Sequence, residues 1–85
     1  MKLIMVTKDA TDYAREVTDF MRDFEAQTSR TIETLDPESP SGIDFITSYG
    51  IVQYPTLVAI ADDNTMQNMW VGTPLPTVME VSYYA

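Results

Sequence analysis

YGIVQYPTLV, Tyr49 to Val58, carries three structural signals in succession. Gly50 stands where a helix ends on a left-handed residue, and Ile51 supplies the apolar contact that usually closes such an end. Pro55 interrupts the chain, and Thr56 to Ala61 (TLVAIA) then runs uninterrupted and apolar, as a strand buried on both faces does. Upstream, a short helix is expected after Pro40, capped by Ser41, with Phe45, Ile46 and Tyr49 turned inward. Downstream, Asp62, Asp63 and Asn64 form a turn, and Met66 to Val71 (MQNMWV) completes a hairpin with the apolar run. Gly72 breaks that strand. Pro74 and Pro76 suit an incoming first turn, and Leu75, Val78, Met79 and Ser82 line one face of a short last helix.

The first half reads in the same way. Lys2 to Thr7 (KLIMVT) is a short apolar strand that belongs in the middle of a sheet. From Thr11 the period lengthens: Tyr13, Val17, Phe20, Met21 and Phe24 share one helical face, and Asp12, Arg15, Glu16, Asp19, Arg22, Asp23 and Glu25 cover the other. Thr11 is the expected N-cap, with Asp12 at the first helical position. Arg30 to Leu35 (RTIETL) is a second strand, with Ile32 and Leu35 on opposite faces and threonines that suit a sheet edge. The order is βαβ, then α, then ββα.

Eighty-five residues, 45% of them hydrophobic, make one α/β domain over 1–85 with a modest core; a chain of this size buries about 60% of its unfolded surface. Thirteen acidic against five basic residues give a net charge of −8, and Lys2, Lys8, Arg15, Arg22 and Arg30 are scattered singly. Such a field repels phosphate backbones and anionic lipid, so nucleic acid and membrane are not expected partners, and a protein or peptide is. The oligomeric state stays open. With no signal-peptide pattern and no apolar stretch near the ~20 residues of a membrane span, a cytoplasmic location is expected. No cofactor is expected. Asp62-Asp63-Asn64 lacks the distal bidentate acid of a calcium loop, and zinc would want histidine or cysteine, of which there is none. Trp70, Met5, Met21 and Met79 read as core, and Tyr83 and Tyr84 as a sticky or frayed tail.

The segment Tyr49 to Val58 resembles the stretch of thioredoxins in which a helix-ending Tyr-Gly-Ile leads to a cis-Pro-Thr and a buried strand. Leu35-Asp36 and Gly72 are similar to family positions that end the second strand and follow the fourth. At the other end, TKDATDYA, Thr7 to Ala14, resembles without a gap the glutaredoxin pattern Thr-Lys-x-x-Cys-Pro-Tyr-Cys. Thr7, Lys8 and Tyr13 match; Thr11 and Ala14 stand at the two cysteine positions. The resemblance implies a thioredoxin-like β-α-β-α-β-β-α fold with a mixed four-stranded sheet in the order 2-1-3-4, flanked by helices. It does not carry over the reaction: that chemistry needs a thiolate, and the chain has no cysteine.

What remains is the surroundings of an emptied site, in which no residue is assigned as catalytic. Thr11 lacks a histidine to activate it and has no carboxylate with evident apolar cover, so an N-cap role is preferred to a nucleophile's. The resemblance makes Tyr54-Pro55 a cis bond whose preceding backbone can accept an extended peptide, since strand addition uses main-chain groups and no thiol. Tyr13 and Tyr54 would flank that groove, with Lys8, Thr11, Pro55 and Thr56 beside them; Tyr13 reads equally well as core, and Lys8 as a solvated loop charge. The leading reading is a redox-inactive binding or scaffold module that docks an extended peptide. One alternative is a residual glutathione-binding or glutathione-linked activity in which Lys8, Thr11 and the Pro55 backbone hold the ligand. Another is an acidic accessory subunit of a larger assembly. Deliberate replacement of the two cysteines is a further one.

Overall fold

The computed structural model describes residues 1–9 and 11–84; Ala10, inside the TKDATDYA motif, and Ala85 lie outside them. The elements follow in the expected order: β1 (Lys2–Val6), α1 (Ala14–Thr28), β2 (Glu33–Leu35), α2 (Pro40–Tyr49), β3 (Thr56–Ile60), β4 (Met66–Val71) and α3 (Val78–Ser82). The sheet order is β2-β1-β3-β4. β1 runs parallel to β2, with Ile4 beside Glu33, and antiparallel to β3, with Ile4 beside Val58. β3 and β4 form the hairpin, with an irregularity between Ala59 and Ile60.

Period-two alternation along β1 and β3 sorts the core onto the two faces. Leu3, Met5, Leu57 and Ala59 meet Val17, Phe20 and Phe24 of α1, together with Ile32 and Val81. On the opposite face Ile4, Val6, Val58 and Ile60 meet Ile51, with Phe45, Ile46 and Tyr49 of α2 packed against them. Leu3 to Val6 and Leu57 to Ile60 are therefore apolar at every position, because a helix covers each face. The stripe expected for α1 holds: Val17, Phe20 and Phe24 are buried, and Tyr13 and Met21 pack at its margin.

Five local expectations are corrected. Thr11 does not cap α1, nor does Asp12 lie in it. The Thr11 hydroxyl donates to the Lys8 carbonyl at 3.2 Å and its own carbonyl accepts from the Ala14 amide. Residues 11–13 therefore turn before the helix begins, and Tyr13 at the N-cap makes no side-chain capping bond. Ser39, not Ser41, caps α2: the residue before Pro40 is pushed to extended backbone, and its hydroxyl oxygen accepts from the Gly42 amide at 3.0 Å. In α3 the inward residue is the fully buried Val81, whereas Met79 is 82% exposed and no part of the core. Tyr84 is neither frayed nor a free tail, since its ring packs edge-on against Trp70 at 5.4 Å.

Gly50 ends α2 in the left-handed region at φ 67°. The Ile51 amide bonds back to the Ile46 carbonyl at 2.9 Å, and Ile51 is buried against the helix it closes. Asp62 to Asn64 makes the hairpin turn, in which Asp63 accepts from the Thr65 amide at 3.0 Å. Thr65, through its hydroxyl and then its backbone, holds the Asp63 carboxyl below its ordinary value of 3.8. Because the folded value is the lower one, this stabilisation is present above the unfolded value and is lost as pH falls through the folded one. Thermal melts of the wild type and Asp63→Asn should differ at about pH 7 and converge toward about pH 3; a difference that stayed constant would remove the charge from the account of this turn.

Candidate functional site

The loop from Ile51 to Pro55 crosses from the end of α2 to the start of β3 and faces the β1–α1 connection. Its base is fixed from below. The Thr56 hydroxyl, fully buried, donates to the Gln53 carbonyl at 2.6 Å. The Pro55 carbonyl accepts from the Gly72 amide at 2.7 Å, which ties the loop to the end of β4. Gly72 itself has φ 74°, a conformation that favours glycine. The Tyr54–Pro55 peptide is cis, as is Thr73–Pro74.

These bonds leave the main-chain groups of Val52 and Tyr54 unused. Among the described residues neither the amide nor the carbonyl of Tyr54 makes an intramolecular hydrogen bond. The Tyr54 ring is half-buried and packs against the α2-side core, while the preceding Val52 is 84% exposed. Beside it, Lys8 Nζ lies 5.5 Å from the Tyr54 ring centroid and 3.2 Å from a Glu38 carboxylate oxygen. The hydrogen bond and charge of Glu38 raise the Lys8 ammonium above its ordinary range; partial desolvation opposes this, and the nearby Tyr54 and Tyr13 add to it. Lys8 is thus charged at neutral pH and engaged on both sides.

The structure accordingly gathers Lys8, Tyr13 and Tyr54 at one end of the sheet, with Thr11 and Ala14 at the mouth of α1. It does not place Pro55 or Thr56 among the side chains a ligand would touch. Both are fully buried, so Thr56 is corrected from a groove-lining side chain to an anchor under the loop. Two participants had no signal strong enough to find them. Glu38 was one acid in a turn-rich connection, and nothing local linked it to Lys8; Val52 looked like any apolar residue between a helix and a strand. Three open clefts, beside Arg30 and Thr31, between α2 and the β2 edge, and between β4 and α3, are lined by other residues.

The arrangement offers a pairing edge, two aromatic rings and one neutralised cation. It offers no nucleophile with a base. Among the described residues no group of three or more metal-ligating side chains comes together, and no helix is long and apolar enough to cross a membrane.

No protein-family model and no curated protein matches the sequence. Solved structures do match the fold. Thioredoxin O2 from Arabidopsis thaliana, in its oxidised state, superposes with a TM-score of 0.70 at 13% identity, over 96% of this chain and 69% of that one. Thioredoxin 1 from the thermophilic eubacterium Thermosipho africanus gives a TM-score of 0.68 at 14% identity, over 99% of this chain and 89% of that one. The chain therefore has a thioredoxin-like fold and no cysteine.

Proposed function

We propose that this chain is a redox-inactive thioredoxin-fold binding module that docks an extended peptide against the Tyr54 backbone. The observation that carries this reading is the amide and carbonyl of Tyr54, which make no hydrogen bond among the described residues, on a loop anchored at the Gln53 and Pro55 carbonyls. A peptide strand laid across it gains two main-chain hydrogen bonds with no thiol involved. The Tyr54 ring and the exposed Val52 supply apolar surface. Aromatic rings with a polar tip suit such a contact, since they bury much area at small entropic cost.

The glutathione alternative asks Lys8 to receive a ligand carboxylate. Glu38 already fills that place at 3.2 Å, so the ligand would have to compete with the chain's own carboxylate, and no second cation is paired at this loop among the described residues. An accessory role through the acidic surface is compatible with peptide docking and is distinguished by salt: binding through exposed charges weakens steeply between low and physiological ionic strength.

The test is a peptide array probed with the wild type and with Tyr54→Ala. The ring rests at the core margin, so the variant keeps the buried strands, and far-UV circular dichroism should match. Bound peptides should be retained about tenfold less well by the variant. An unchanged binding pattern would remove the groove from the function of this chain.

A further inference from the structure

α3 packs against α1, and the two tyrosines that follow it meet Trp70 of β4, setting three aromatic rings around one open cleft of about 600 Å³. Trp70 and Tyr84 stand edge-on, with centroids 5.4 Å apart and planes at 77°. Tyr84 and Tyr83 repeat the relation at 5.2 Å and 77°. Rings at right angles make the walls of a corner rather than a closed stack. The middle wall is fixed, because Asn68 Nδ2 donates to the Tyr84 hydroxyl at 3.1 Å. Met79 and Tyr83, 82% and 84% exposed, form the rim, and Glu80 supplies a carboxylate to the lining.

The chemistry of these walls selects a positive guest. Aromatic faces carry the negative part of the ring quadrupole and attract cations. No internal cation uses them: Lys8 lies over Tyr54, and among the described residues Glu80 forms no ion pair. The net charge of −8 raises the local concentration of cations around the whole molecule. A bare ammonium, strongly hydrated, would lose three water bonds and find few acceptors here. An alkylated one presents methyl groups to the rings and to Met79 while keeping its charge.

We propose that the cleft formed by Trp70, Tyr83 and Tyr84 binds a quaternary ammonium head group, with Glu80 as its counter-charge. The site is separate from the Tyr54 loop and does not depend on peptide docking there.

The test titrates the isotope-labelled chain with choline, with trimethyl-lysine amide, and with the neutral isostere 3,3-dimethylbutanol, following the indole N–H of Trp70, the one tryptophan. Choline and trimethyl-lysine should give saturable shifts at Trp70, Tyr83 and Tyr84, with dissociation constants on the order of 1 mM. The neutral isostere should bind about tenfold more weakly. Equal affinity for the two cations supports recognition of the head group alone, and tighter trimethyl-lysine binding supports a modified protein as its source. Tyr83→Ala removes an exposed ring, leaves the core intact, and should weaken binding about fivefold; Glu80→Gln should weaken it less, and Tyr54→Ala not at all. Equal binding of the neutral isostere, absence of saturable shifts, or full affinity in Tyr83→Ala would overturn the proposal.

Discussion

Phe24→Ala should lower the unfolding free energy by about 4 kcal/mol, in the range found for emptying a phenylalanine site in a closed core. Phe24 is fully buried and stands at the centre of the α1-side cluster with Leu3, Met5, Leu57, Ile32 and Val81. Its ring stacks with Phe20 at 6.3 Å. Contributions to that cluster come from both central strands and from α1 and α3, so no single neighbour can move to refill the space, and the transfer and cavity costs add. A domain of this length holds roughly 4–13 kcal/mol in total, so the loss takes a large fraction of the stability and would unfold a domain at the low end of that range. Urea denaturation measures the effect; a loss below about 1.5 kcal/mol would mean that the core is more plastic than this packing implies.

Gly42→Ala should cost about 3 kcal/mol for a different reason. Gly42 is buried in the first turn of α2, where its amide meets the Ser39 cap. An added Cβ would fall inside contact distance of the Asp36 carbonyl oxygen, and within 2.8 Å of the Asp36 carbonyl carbon and 2.9 Å of Ser39 Oγ. The first two are backbone and cannot swing aside as the end of a long side chain would. The methyl therefore either displaces the turn at Asp36 or expels the Ser39 cap, and a lost cap alone accounts for about 1 kcal/mol. The same urea experiment reads the outcome. Because the turn bearing Asp36 also carries Glu38, the variant should disturb amide shifts at Lys8 as well; a variant as stable as the wild type would contradict the tight approach.

Phe24 and Gly42 lie in parts of the fold that differ in how far the sequence reveals them. The Phe24 stripe was legible because α1 is long enough for a helical period to separate apolar from charged residues. The runs at β1, β3 and β4 were legible because turn formers bound them, and Gly50 announced the end of α2. The caps were harder. Both Ser39 and Ser41 offer a hydroxyl, and the deciding fact is that a residue before proline is held extended, as an N-cap must be. At Thr11 a competing bond to the Lys8 carbonyl took the hydroxyl away from the helix. α3 spans only Val78–Ser82, too short for its period to tell Val81 from Met79. The aromatic corner at Trp70 depends on where the residues after α3 meet β4, which no local pattern encodes.

At the Tyr54 loop the residue types were readable and the partnerships were not. Tyr13, Tyr54 and Lys8 were found by their similarity to a known pattern, but the pairing of Lys8 with Glu38 joins distant connections and follows from the parallel β1–β2 crossover. Thr56 looked like a contact residue because it follows the proline. The structure makes it an anchor, since a strand entering the core buries its first residue and the hydroxyl must then find an acceptor.

A two-dimensional amide NMR titration of the wild-type chain with a pool of extended peptides tests peptide docking at Tyr54 most directly. Saturable shifts clustered at Lys8 to Tyr13 and at Gln53, Tyr54 and Thr56, lost in Tyr54→Ala, are the predicted result. Shifts that avoid those residues, or none in the presence of peptides the chain retains on an array, would contradict it.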